Sequence, residues 1–217
     1  MELTTAKDTI ETRHDDADVE VWPLKARGHV MSQSWSWVND VYDNESCDEI
    51  VREIESTHDI EDAVTRQGKN DNVRVSQVAW VDMSKIPSLY QQMTSMVEEQ
   101  NKQFWNFNLS SIEKIQYTVY DSKVSTQSRY DWHQDAGFST TWNNDIRKLS
   151  WVVLLSDPSE FEGGKFQIIV DHDFPMDVEM QKGSMIFFPS PTVHRVTPVT
   201  KGVRKTLVGW TRGPCWI

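Results

Sequence analysis

"GSMIFFPSPTVHRVTPVTKGVRKTLVGW", residues 183–210, decides how this chain folds. Three strand candidates run through and just past it: "GSMIFFP" (183–189), "HRVTPV" (194–199) and "KTLVGWTR" (205–212). They are rich in β-branched and aromatic residues, and Pro and Gly separate them. Upstream, "KFQIIV" (165–170), "KLSWVVLLS" (148–156) and "IEKIQYTVY" (112–120) have the same texture. In the last of these Ile115, Tyr117 and Val119 share one face. "SDPSEFEGG" and "DHDFP" are turns between them; Gly163 and Gly164 are expected at a tight turn, and His172 at an exposed one. Many short strands without a helical period predict a sandwich or jelly-roll barrel.

The first half reads differently. "HVMSQSWSWVND" (29–40) alternates like a strand. "DNESCDEIVREIEST" (43–57) opens on capping residues and then places Cys47, Ile50, Val51 and Ile54 at helical spacing. Within 65–83 a turn-rich centre leads into a strand through Val73, Val75, Gln77 and Ala79. Pro87 suits a first helical turn, and Leu89, Met93, Met96, Val97, Gln100 and Phe104 trace one face of a helix over 88–105. The expected class is α+β, two helices packed on an all-β core. Residues 1–18 are polar and aperiodic and read as a flexible tail.

Composition narrows the function. The chain has 217 residues, 38% apolar and 25% charged, as a soluble globular protein does. A formal net charge of −11 argues against non-specific nucleic-acid binding, which depends on cations neutralising phosphates. Cys47 and Cys215 are the only cysteines, so neither a disulfide framework nor a cysteine-based zinc site is expected, and a reducing cytoplasm fits. No secretory h-region and no membrane-length apolar run is seen.

The chemistry centres on "YDWHQDAGF" (130–138). His133 and Asp135 stand two apart, on one face if the segment is extended. Such a pair is either an ion pair around a core histidine or two-thirds of a metal site. His14 and Asp16 repeat the spacing in the polar N-terminal stretch, so the spacing alone decides nothing. His194 is the candidate third ligand; two His and one carboxylate on a β scaffold make the facial triad of non-haem Fe(II) oxygenases. Arg204 follows ten positions later, on the same face of a strand as Thr206, Val208 and Trp210. An inward arginine there needs an anion, and a dicarboxylate cosubstrate supplies one; otherwise Arg204 points outward beside Lys205.

"YDWHQD", "FEGGKF" and "GSMIFFPSPTVHRVTPVTKGVRKTLVGW" together resemble the Fe(II)/2-oxoglutarate-dependent dioxygenases of the prolyl 4-hydroxylase-like group, in its bacterial and viral hydroxylase branch. "WVNDVYDNESCDEIV" and "VRVSQVAWVD" resemble the same branch more loosely. The resemblance implies a double-stranded β-helix (jelly-roll) core with two or more supporting N-terminal helices. Residues 19–217 would form one dioxygenase domain, 19–110 as helical support and edge strands, 111–217 as the core with the iron site.

It further implies His133, Asp135 and His194 as metal ligands and catalytic centre, and Arg204 with Tyr120 on the cosubstrate carboxylate. Tyr120 stands thirteen residues before His133, across a longer loop than the family has, while Tyr117 lies on the opposite face. Tyr130, Trp210, Arg74 and Ser76 are the implied substrate contacts. Where some relatives carry a second cosubstrate tyrosine, "LSWVVLLS" offers Val153. Fe(II), 2-oxoglutarate and O2 are the implied cofactors, with ascorbate as reductant. The implied reaction is hydroxylation of a C–H bond, first of a prolyl residue in a peptide or protein, with release of succinate and CO2. Another side chain, a small molecule, or a jelly-roll binding module with a dead site are the alternatives. Loops 65–74, 121–129 and 136–147 would shape the groove, the last as a lid with Trp142.

Overall fold

The computed structural model describes residues 33–65, 68–136, 145–170 and 174–215. The tail at 1–18, His14, Asp16, Trp142, His172 and most of the expected lid lie outside the described residues. In chain order the strands are β1 (Ser36–Val38), β2 (Glu61–Asp62), β3 (Arg74–Val75), β4 (Gln77–Trp80), β5 (Ser111–Ile112), β6 (Gln116–Asp121), β7 (Ser128–His133), β8 (Asp145–Leu154), β9 (Phe161–Gly163), β10 (Phe166–Ile169), β11 (Met176–Val178), β12 (Met185–Pro189) and β13 (Val193–Pro214). The two helices are α1 (Asn44–Thr57) and α2 (Pro87–Gln100).

Each helix begins where its sequence says it should. The Asp43 carboxylate accepts from the Ser46 amide at 2.8 Å and caps α1. Pro87 opens α2, where its missing N–H costs nothing. The expected run to residue 105 is interrupted after Gln100 by a π-helical turn, Asn101–Trp105, and Asn106 ends it in the left-handed region at φ 50°. The Asn101 side chain bonds both the amide and the carbonyl of Phe107, which fixes that exit. Gln100 is held by the Ser36 hydroxyl at 2.8 Å, tying α2 to β1.

The strands form a jelly roll. One sheet runs β1-β12-β8-β13-β6-β4-β2, with β5 also on β13; the other joins β11 to β10, β10 to β13, β13 to β7 and β7 to β3, with β9 also on β13. All these pairs are antiparallel. The runs expected at 194–199 and 205–212 are therefore one strand. Its first part pairs with β10, β7 and β9, its second with β8 and β6. Register shifts between His194 and Lys201, and Gly202 at φ 74°, turn it from one sheet into the other. Such a bend is hard to read from sequence because both arms remain extended. Likewise β7 begins at Ser128, inside the expected 121–129 loop, because its Ser and Arg have no apolar signal.

The apolar runs "WVVLL" and "MIFF" are buried on both faces, as continuous hydrophobic strands must be. Trp151, Val153, Met185, Phe187, Tyr117 and Leu207 pack under the helices with Cys47, Ile54, Leu89, Met93 and Val97. Val152, Leu154, Ile186, Phe188, Phe166 and Val196 fill the jelly roll itself. Each large side chain buried this way contributes about 1.5–3 kcal/mol. The alternation sends Val153 toward the helices, so Val152, not Val153, faces the interior cavity.

Candidate metal centre and its pocket

Cross-strand pairing places the polar residues of the interior. His194 stands opposite His133 in the β13–β7 ladder. Arg204 stands opposite Tyr120 in the β13–β6 ladder, followed by Thr206 opposite Thr118 and Val208 opposite Gln116. Ten residues of straight strand would span roughly 33 Å. The bend in β13 instead turns both His194 and Arg204 into one cavity.

His133, Asp135 and His194 each offer one ligand atom, and these atoms lie within 4.8 Å of one another. Nε2 of His133 is 3.8 Å from one Asp135 oxygen, and Nε2 of His194 is 3.6 Å from the other. Nδ1 of His133 donates to the Asp131 carbonyl at 2.7 Å, and Nδ1 of His194 to the Thr192 carbonyl at 2.8 Å. These bonds fix the tautomer that leaves both Nε2 atoms free to ligate. Burial, then the neighbouring His194, lowers the His133 pKa to about 4, so the ring is neutral at physiological pH. Burial pushes the Asp135 carboxyl up, but His194, His133 and the Ser150 hydroxyl outweigh it and hold it below its ordinary value. Asp135 is further anchored by its amide, which donates to the Ser190 carbonyl at 3.0 Å. Two imidazoles and one carboxylate, with no cysteine among them, fit Fe(II).

Arg204 lies deeper, 2% exposed. Its guanidinium is 5.8 Å from the centroid of the buried Tyr120 ring, and no carboxylate among the described residues pairs with it. Burial lowers its pKa to about 10, which still leaves it charged. Gly164 makes room for it: a Cβ there would sit 3.0 Å from Arg204 Cδ. A buried cation with no carboxylate partner among the described residues, in the same cavity as the His–Asp–His cluster, fits the far carboxylate of 2-oxoglutarate.

Of the expected substrate residues, Arg74, Tyr130 and Trp210 border the same space, and Ser76 stands behind Arg74. The Tyr130 ring stacks on His133 with centroids 3.5 Å apart. Arg74 lies over Tyr130 at 4.5 Å and bonds Ser76 Oγ and Gln116 Oε1, both at 2.9 Å. Ser76 therefore orients Arg74. Trp210 lines both the deep cavity and an open groove of about 510 Å³ that reaches His133. Tyr117 bonds Glu55 under α1, away from the cavity.

Several residues of the site were not singled out from sequence. Gln116 and Thr118 line the cavity; they share the face of Tyr120, and the alternation of β6 was the available signal. Arg147 lies over Trp210 at 3.9 Å and is held bidentately by Glu113, at 2.9 and 2.6 Å. Its position was hidden at the end of the supposed lid. Trp80, 45% exposed, flanks Trp210 at 6.2 Å.

Comparison with known proteins agrees with this geometry. Residues 115–212 match the family model of the 2OG-Fe(II) oxygenase superfamily. A PKHD-type hydroxylase of Synechococcus sp. (strain CC9605) is 34% identical over 48% of this chain and 45% of its own. A PKHD-type hydroxylase of Parvibaculum lavamentivorans is 29% identical over 60% of this chain and 58% of its own. The chain thus spans about half the length of the curated relatives it matches. In fold, a Pseudomonas putida prolyl-4-hydroxylase superposes with TM-score 0.63 at 19% identity, over 83% of this chain and 92% of its own. A Trichoplax adhaerens prolyl hydroxylase, solved with a hypoxia inducible factor peptide, gives 0.67 at 15% identity, over 82% and 83%. The viral collagen prolyl hydroxylase of Paramecium Bursaria Chlorella virus-1, in complex with 2OG, gives 0.61 at 19% identity, over 83% and 97%. In sequence through its β core, and in fold through most of its length, the chain resembles the 2OG-Fe(II) oxygenases of the prolyl 4-hydroxylase-like group.

Proposed function

We propose that this protein is an Fe(II)- and 2-oxoglutarate-dependent dioxygenase that hydroxylates a C–H bond, first among candidates that of a prolyl residue in a peptide. The observation that carries the reading is the pairing of a His133–Asp135–His194 cluster with a buried Arg204 that no carboxylate among the described residues pairs, in one cavity.

Bound Fe(II) with 2-oxoglutarate and O2 supplies the oxidising chemistry, in which substrate hydroxylation is matched by release of succinate and CO2. The protein's part is positioning. His133, Asp135 and His194 would hold the metal. Arg204 and Tyr120 fix the distal carboxylate of the cosubstrate at the closed end of the cavity. Val152, Phe166 and Val196 add apolar surface to the cavity lining and help to exclude water. Tyr130, Trp210 and Trp80 present aromatic faces where the groove opens over His133, and a proline ring suits such faces. The prolyl hydroxylase structures with which the fold superposes support that choice of substrate.

The test is turnover: 2-oxoglutarate consumption, succinate release and a mass gain of one oxygen on proline-containing peptides. Peptide-stimulated succinate release that requires Fe(II) and disappears in Asp135→Ala supports the reading. Absence of any Fe(II)-dependent succinate release overturns it.

A further inference from the structure

Arg74 is a second buried cation with no carboxylate partner among the described residues. It is 7% exposed, and its partners are Ser76, Gln116 and the face of Tyr130. None of the three carries a charge in its ordinary form, and no carboxylate among the described residues pairs with Arg74. Among the described residues Asp135 is the only carboxylate lining the groove, and it faces the two imidazoles. Arg147, the other groove cation, differs in having a carboxylate partner, Glu113, which it shares with Arg212. In a chain of net charge −11, an uncompensated guanidinium in the groove is a costly arrangement.

The cost is recovered if the anion arrives with a ligand. On the reading above, one cosubstrate carboxylate goes to Arg204 and the other to the metal, so neither is left for Arg74. Arg74 instead lines the open groove and stands one aromatic ring from a metal ligand, through the stack Arg74–Tyr130–His133. We infer that the substrate carries a carboxylate close to the carbon that is hydroxylated, and that Arg74 binds it. The carboxylate has two possible sources with one chemistry: an Asp or Glu side chain beside the target residue, or the α-carboxylate of a terminal or free amino acid. This inference rests on the proposed oxygenase function.

The experiment compares acid and amide pairs by anaerobic calorimetry on protein with Fe(II) and 2-oxoglutarate. L-proline against L-prolinamide reads the α-carboxylate. Acetyl-Pro-Asp-amide against acetyl-Pro-Asn-amide, and acetyl-Asp-Pro-amide against acetyl-Asn-Pro-amide, read the side chain. A charge-assisted bond is expected to favour the acid about tenfold or more in at least one pair. Arg74→Gln should abolish that preference and Arg74→Lys restore part of it, while the visible band of Fe(II) and 2-oxoglutarate persists in both. No acid preference in any pair, whether both members bind alike or none binds, overturns the inference, as does a preference that survives Arg74→Gln. If the wild type gives no band, the oxygenase reading has failed instead.

Discussion

Tyr130 lies flat against His133, with ring centroids 3.5 Å apart and planes within 13°. The ring therefore buttresses one candidate ligand while its other neighbour, Arg74, faces the groove. Stacking of this kind contributes about 0.5–1.5 kcal/mol. Tyr130→Leu should weaken Fe(II) binding by roughly two- to tenfold, and Tyr130→Phe should leave it intact. Anaerobic Fe(II) titration by calorimetry checks both. An unchanged affinity in Tyr130→Leu would mean that the Asp131 carbonyl alone orients His133.

Arg204 trades stability for binding. Replacing a buried, unpaired charge by an apolar side chain of similar length stabilises by about 1–4 kcal/mol in comparable cases. Arg204→Met should therefore raise the melting temperature of the ligand-free protein while removing the rise that 2-oxoglutarate gives the wild type with Fe(II) or Zn(II). Thermal melts with and without 2-oxoglutarate test this. A variant still stabilised by 2-oxoglutarate would place the cosubstrate elsewhere.

Gly164 and Gly163 should respond differently to a methyl group. A Cβ on Gly164 meets the side chains of Val199 at 2.8 Å and Arg204 at 3.0 Å, both able to shift. Gly164→Ala should fold, at a cost of about 1–3 kcal/mol, and lose 2-oxoglutarate affinity more than Fe(II) affinity. A Cβ on Gly163 meets the Pro198 carbonyl at 2.1 Å, and backbone cannot give way so easily. Gly163→Ala should be the less stable of the two by chemical denaturation.

Glu113 predicts an acid-sensitive step. Burial pushes its carboxyl up, but bonds and charge from Arg147 and Arg212 hold it below its ordinary value. A depressed folded-state pKa means the unfolded chain binds the proton more readily. The stabilisation is thus complete above the unfolded value of about 4.3 and is lost as pH falls below it. Glu113→Gln should destabilise by about 1–3 kcal/mol at pH 7, with the gap to wild type closing as pH falls through the carboxylate range. Urea denaturation across pH measures it. A gap that stays constant with pH would show that the contribution is packing and not charge.

Much of this was legible in the chain. The helix starts at Asp43 and Pro87 follow from local capping chemistry, which is encoded within one turn. The jelly roll follows from short apolar runs, and the inward face of Arg204, Thr206, Val208 and Trp210 from simple alternation. What failed was anything set by register across distance. The bend that makes β13 one strand depends on bulges and on Gly202, which leave no apolar signature. That Val152 and not Val153 faces the cavity is not legible, because a doubly buried strand gives no hint of which face is which. Arg147 and Glu113 meet only because β5, β8 and β13 are brought together, and sequence spacing says nothing of that.

The most direct test of the central claim is a visible spectrum of anaerobic protein with Fe(II) and 2-oxoglutarate, recorded beside Asp135→Ala and Arg204→Ala. A charge-transfer band that needs both additions, vanishes in Asp135→Ala and requires far more 2-oxoglutarate in Arg204→Ala is the predicted result. No band in folded wild-type protein, with iron shown not to bind, would contradict the account and leave His133 and Asp135 an ordinary polar contact.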